Sequence, residues 1–450
     1  MKHSFTLRTL LVGTSMLAMV ATAQAQTAAI PGYEAAVAAA ATSDWATAEA
    51  KRGGMTLVAQ FDSSGPDAWR PAEHPLIYIT SESNFNPNPN KTLEGGWAGF
   101  QLIDANTKKE VANFVGVTTG KPSDLKRAPH GVDVSPDGAW AYIGWTEADQ
   151  GVTGGTSYVA VVNMRTLKID KLLKQESYFR GAPRAQGLHH IQAWRDVDGN
   201  DRVVLMFGFG ADGGPHSILD PKNDNKVVRA ITYEDVQVMG HPYTTPSPDG
   251  KTFYTSIGSP EIREAHWSGA GIAKVDLETG EVTNIMGTGN HPIAIVHDAD
   301  GVFTYVVDGH HSSVYKIDDA TNEVVGSTSA GVAGPYGAAF NWDESLLFTV
   351  GKGEGSHNIG SVLGVIDLKT FTPARNVTAQ MPIFLGGSAS SVDHAILHPD
   401  PAVNEMWISN MYGWETIVLD LITYQPKAWI PTPHGGDTHS GGFIRYKADF

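Results

Sequence analysis

His130, His189, His241, His291, His394 and His439 each stand at the head of a short apolar run, and Tyr336 heads one more in the same frame. The stretches read "HGVDVSPDGAWAYIGW", "HHIQAWRDVDGNDRVVLMFG", "HPYTTPSPDGKTFYTSIG", "HPIAIVHDADGVFTYVVDG", "YGAAFNWDESLLFTVGK", "HAILHPDPAVNEMWISNM" and "HSGGFIRYKADF". Neutral imidazole is a good ligand for copper and zinc, and copper(II) heads the divalent affinity order at nitrogen sites. A ring of imidazoles around a narrow channel can hold more than one copper ion. His190 adjoins His189, and Asp393 and Asp437 stand just before His394 and His439. Carboxylates so placed can accept from the far ring nitrogen and fix the tautomer of a ligating imidazole. A structural reading competes: histidine ahead of an inner strand can simply bond to backbone.

The elements that must position these side chains are strands. Each stretch up to "HAILHPDPAVNEMWISNM" gives a strand, a tight turn and a second strand. Each unit continues into a third strand ("VVNMRTLKID", "AKVDLETGEV", "VYKIDDATNEV", "VIDLKTFTPA") and a fourth. Four antiparallel strands per roughly 45 to 59 residues is the pattern of a propeller blade. The chain ahead of the first unit supplies only three strands, "HPLIYIT", "WAGFQLID" and "EVANFVGV". "HSGGFIRYKADF" supplies the missing innermost strand by pairing with residues 75–80. The expected fold is all-β: a seven-bladed β-propeller over residues 56–450, closed by N- and C-terminal strands.

Innermost strands line the central channel of a propeller, so the seven frames converge on one mouth. The same mouth receives the loops joining second and third strands. Three of these are long and carry Glu261, Glu264, His266, Lys352 and His357, while "DGHHSS" adds His310 and His311. Long histidine-bearing loops on one face mark a functional face, and Glu264 is the candidate general base there. His74, His216, His297 and His398 fall at turns or strand ends and read as structural. The chain has no Gly-Lys-Ser/Thr phosphate loop and no Gly-x-Ser-x-Gly elbow, and "DVDGND" reads as a solvated turn.

The first 25 residues, with Lys2, Arg8, an apolar stretch from Leu10 to Val20 and Ala23-Gln24-Ala25, read as a cleaved signal peptide, which predicts a periplasmic protein. That stretch is too short to span a membrane. Residues 26–55 are Ala-rich and predict one helix packed outside the main fold. The net charge of −16, about −18 after signal removal, argues against nucleic acid as a partner. The absence of cysteine excludes disulfides, c-type haem attachment and thiolate copper centres.

With "PHGVDVSPDG", "GHPYTTPSPDG", "NHPIAIV" and the histidine frames, residues 56–450 resemble exported seven-bladed propellers related to the cytochrome d1 domain, nitrous oxide reductase and thiocyanate dehydrogenase. Nitrous oxide reductase adds a cysteine-containing copper domain, which this chain lacks. The resemblance to thiocyanate dehydrogenase implies copper held by channel histidines, here His130, His241, His291, His394 and His439, with His74 and His189 beside them. It also implies a lysine and acidic residues beside the copper. The expected function is a periplasmic copper oxidoreductase that oxidises a small sulfur-containing or inorganic anion. Without an internal haem or thiolate centre, it would pass electrons to an external cytochrome c or copper protein. The alternative is a non-enzymatic propeller that carries or matures a haem d1-type cofactor or serves as a docking platform. A calcium- or zinc-dependent lactonase fits less well, because such sites favour oxygen ligands.

Overall fold

The computed structural model describes residues 30, 32–83, 98–116, 125–127, 131–147, 156–175, 177–179, 182–184, 188–207, 215–236, 239–257, 271–289, 292–353, 362–382, 385, 392–411, 413–436 and 438–446. The predicted signal peptide lies outside them.

Alternating apolar residues between turn residues build seven antiparallel sheets of four or more strands, the blades of one propeller, beside a two-stranded sheet of Ser177–Phe179 and Ala182–Arg184. Blade 1 contains Leu76–Ser83, Ala98–Asp104 and Lys109–Val115. Blade 2 contains Val132–Val134, Trp140–Glu147, Thr156–Asn163 and Lys168–Gln175. The inner strands of blades 3 to 7 are Leu188–Arg195, Met239–Pro246, Pro292–His297, Ala338–Phe340 and Val392–Leu397. Middle strands are buried along their length, as in Ala98–Asp104, whereas the outermost Glu323–Ser329 alternates between exposed and half-buried positions. The two "SPDG" turns are built alike: Ser135 Oγ and Ser247 Oγ each donate to the aspartate two residues on, at 2.6 Å. Repetition of sequence thus gives repetition of geometry.

The ring closes as the three-strand first unit predicts. Gly441–Arg445 pairs antiparallel with the second strand of blade 1, from Leu76↔Arg445 to Thr80↔Gly441. Tyr78, Trp407 and Phe443 pack at this seam with ring centroids 4.9 to 5.4 Å apart. Tyr78 and Trp407 are buried here and Phe443 is half-buried against them; full burial of a large apolar side chain contributes about 1.5–3 kcal/mol.

The N-terminal extension differs from the single helix expected. It forms two helices, Tyr33–Ala41 and Ala48–Arg52, followed by the strand Met55–Gln60 on the outer edge of blade 2. Between the helices, Trp45 is buried and its Nε1 donates to Asn225 O of blade 3 at 3.1 Å. Thr47 then starts the second helix, its Oγ1 accepting from Ala50 N at 2.9 Å. An indole anchored to a neighbouring blade breaks what composition alone reads as one helix. Among the described residues no helix is long and apolar enough to cross a membrane.

Candidate functional site

Inner strands begin at one mouth of the ring, and there the ladders of blades 3, 4, 5 and 7 are irregular. In blade 3, Leu188 faces Phe207 while His190 faces Met206, which leaves His189 as an extra residue. In blade 7, Val392 faces Asn410 and Ala395 faces Ile408, so Asp393 and His394 together oppose Ser409. An extra residue in one strand bends the backbone and re-aims its side chain. Regular pleating would send His189 and His190, or Asp393 and His394, to opposite faces. Here all four side chains reach one cluster.

At its centre is Asp393, fully buried. Its Oδ2 lies 2.9 Å from His439 Nδ1 and 3.1 Å from His394 Nδ1, and its Oδ1 lies 3.1 Å from Lys352 Nζ. Lys352 Nζ also sits 3.6 Å from the ring centroid of Tyr336. Tyr336 Oη lies 3.1 Å from His189 Nε2 and 3.4 Å from His190 Nε2. The rings of His190 and His394 are 4.8 Å apart, and those of His189 and His190 are 4.1 Å apart. Four imidazoles, a phenol, a carboxylate and an ammonium from four blades therefore form one contiguous group.

Small residues and hydroxyls hold the backbone of this group. His394 N donates to Ser409 Oγ at 2.9 Å, and His439 N donates to Ser81 Oγ at 3.1 Å, each serine lying near the end of an adjacent second strand. Gly131 and Gly337 pass close to the strands of the next blade. A Cβ on Gly131 would stand 2.9 Å from His190 Cα, and one on Gly337 would stand 2.9 Å from His394 Cα.

Electrostatics follow from burial. Burial, followed by the charge of His394, puts His190 well below the ordinary imidazole range. Burial also lowers His439, although the hydrogen bond and charge of Asp393 oppose it. For Asp393 itself burial acts to raise the carboxyl, but Lys352, His394 and His439 outweigh it and hold the group well below the usual carboxylate range. The site at neutral pH thus has a charged carboxylate, and at least His190 and His439 are neutral donors.

Of the residues singled out in the sequence, the structure brings His189, His190, His394 and His439 together. His130, His291 and Glu264 lie outside the described residues, as do Glu261, His266, His357 and Asp437. His241 lies on the strand Met239–Pro246 with its side chain outside the description. Among the described residues no three His, Asp or Glu side chains are arranged to hold a metal ion. His74 is set apart: it precedes the second strand of blade 1, and its Nδ1 lies 2.7 Å from Asp104 Oδ2. His216 and His297 are held by Thr255 and Thr304, and His398 by the backbone of Asp400.

Two further carboxylate–imidazole pairs stand at this mouth. His311 Nδ1 lies 2.7 Å from Asp308 Oδ2, and His434 Nδ1 lies 3.1 Å from Glu82 Oε2. Burial raises Glu82 despite the donors from His434 and Gly436. Glu82 and His434 were not legible as a pair, being 352 positions apart and joined only by ring closure. Lys352 was legible as a loop residue at the mouth, not as the partner of Asp393.

No family model matches this chain, and no curated protein matches it. Solved structures do. The periplasmic gluconolactonase of Pseudomonas aeruginosa is 12% identical with a TM-score of 0.52, over 83% of this chain and 100% of that one. A putative 6-phosphogluconolactonase of Bacteroides uniformis is 12% identical with a TM-score of 0.52, over 82% and 100%. A dihydro-heme d1 dehydrogenase is 14% identical with a TM-score of 0.49, over 89% and 82%. At these identities the first two likenesses establish the propeller fold alone.

Proposed function

We propose that this chain is a copper-dependent oxidoreductase of the periplasm that removes electrons from a small inorganic or sulfur-containing anion. The observation that carries this reading is the gathering of His189, His190, His394 and His439 around Asp393 and Lys352. The donor set suits copper in its chemistry: burial keeps His190 and His439 neutral, and the Nδ1 atoms of His394 and His439 are turned to a carboxylate. As described, these four are not arranged around one metal position; with His130, His241 and His291 from the remaining frames, they are the imidazoles that would hold the metal. Copper bound there would supply one-electron acceptance.

The protein's own groups prepare the pocket for an anion. Lys352 offsets the charge of Asp393 in a chain of −16. Asp393 fixes the orientation of two imidazoles from adjacent blades. Burial of the cluster excludes bulk water. A chain without cysteine has no c-type haem or thiolate copper to carry electrons onward, so the acceptor is a separate cytochrome c or copper protein. The same resemblance that suggests thiocyanate dehydrogenase makes thiocyanate the first anion to test.

The test is copper reconstitution followed by turnover of thiocyanate and related sulfur anions with an artificial electron acceptor. At least one copper per chain is expected, with turnover reduced 100-fold or more, about 2.7 kcal/mol in barrier, in His394→Ala and His439→Ala. Less than one copper per chain, or undiminished turnover in both variants, defeats the reading.

A further inference from the structure

Next to the aromatic seam, polar side chains turn into the interface between blades 1 and 7. Tyr78 and Thr80 are two positions apart on the second strand of blade 1 and so share a face, which Tyr78 turns to Trp407 of blade 7 with ring centroids 4.9 Å apart. Gln101, directly opposite Thr80 on the neighbouring strand, lies on the same face. On blade 7, Thr416 and Val418 are likewise two positions apart in the strand Glu415–Asp420, and Val418 packs with Leu76 and Tyr78. The Gln101 amide spans the gap: its Nε2 donates to Pro431 O at 3.1 Å, one residue beyond Ile430, the partner of Thr416. Thr80, Gln101 and Thr416 therefore face one another one step nearer the mouth than the seam.

All three side chains are buried, and Thr80 Oγ1, Gln101 Oε1 and Thr416 Oγ1 have no hydrogen-bond partner among the described residues. Turning the amide over gains nothing, because Nε2 already donates to two acceptors, Glu110 Oε2 at 2.8 Å and Pro431 O. The Tyr78 hydroxyl interacts with Thr80, but without the distance and direction of a hydrogen bond. Unmet polar atoms in a protein interior are costly, and ordered water is their usual partner.

We propose that Thr80, Gln101 and Thr416 bind a buried water molecule that bridges blades 1 and 7. The inference is independent of the copper reading. One water donates to Gln101 Oε1 and to one threonine oxygen and accepts from the hydroxyl of the other, so that all three atoms are satisfied together. Two hydroxyls and an amide oxygen carry no charge, which selects water over an ion. The bridge holds the ring where its first and last blades meet.

The experiment combines a crystal structure of the wild-type protein that resolves ordered water with thermal unfolding of Thr80→Val and Thr416→Val. Valine keeps the shape of threonine and removes the hydroxyl. With the water in place each variant loses one of its hydrogen bonds, and the midpoint is expected to fall by about 1–2 °C in a chain of this length. A hydroxyl without a partner gives the opposite sign, because its removal relieves a desolvated group. The double variant is expected to lose less than the sum of the two, since both hydroxyls hold one molecule. A water about 3 Å from both Gln101 Oε1 and Thr416 Oγ1 supports the site. A wild-type map without it, or an unchanged or raised midpoint in both variants, overturns the site; where a variant fails to fold, the wild-type map decides.

Discussion

Asp393 touches side chains from three blades: Lys352 at the end of a blade 6 strand, His394 in its own strand, and His439 at the start of the closing strand. A neutral amide cannot replace it, because Asn offers one acceptor oxygen where two imidazoles and an ammonium converge. Asp393→Asn is expected to weaken copper binding by roughly 10- to 100-fold, as loss of a ligand-orienting partner does. It should also lower the stability of the metal-free protein by on the order of 3 kcal/mol, the scale for removing one partner of a buried ion pair. Isothermal titration with copper and denaturant unfolding at neutral pH measure the two effects separately. Unchanged copper affinity would show that Asp393 holds the fold and not the ligands. The sequence shows Asp393 beside His394, but its bond to His439 crosses 46 positions and depends on the irregular start of blade 7, which no local pattern reveals.

At the scale of the element, the strands were legible because their turns and alternation repeat, whereas the extra residues at their starts were not. A period of two places His189 and His190 on opposite faces, and only the pairing with blade 3's second strand shows that they share one. The start of each inner strand is also where blades come closest, and glycine marks that approach in "HGV" and "YGA". In Gly337→Ala the new methyl would meet Asp393 O at 2.8 Å and His394 Cα at 2.9 Å, both backbone atoms with little room to move. The expected cost is about 1–3 kcal/mol, typical of overpacking, together with an altered visible spectrum of the copper-loaded protein. Calorimetry of the metal-free variant checks the first, and a thermal midpoint equal to wild type would mean that the two blades separate freely at this point.

The whole molecule depends on a strand that follows all the others. Removing residues 441–446 leaves Leu76–Ser83 as an open edge and uncovers the aromatic seam of Tyr78 and Trp407, so the truncated chain should lose cooperative unfolding and self-associate by size-exclusion chromatography. A monodisperse, cooperatively unfolding truncated protein would contradict the closure. The three-strand first unit made this seam readable from sequence, while the broken N-terminal helix was not, since the burial of Trp45 against blade 3 depends on a residue 180 positions away. Closure also has a meaning in time. Blades 3 to 7 assemble from contiguous segments, but blade 1 joins positions more than 360 apart, and loop-closure entropy opposes such pairing until nearly everything else is in place. Refolding should therefore finish with a slow phase that a circular permutant carrying 438–446 directly ahead of Pro75 would abolish. The cluster around Asp393 includes His439 from that same closing segment, so the complete site comes into being only in the final act of folding, and a chain halted one strand short presents an incomplete trap for metal.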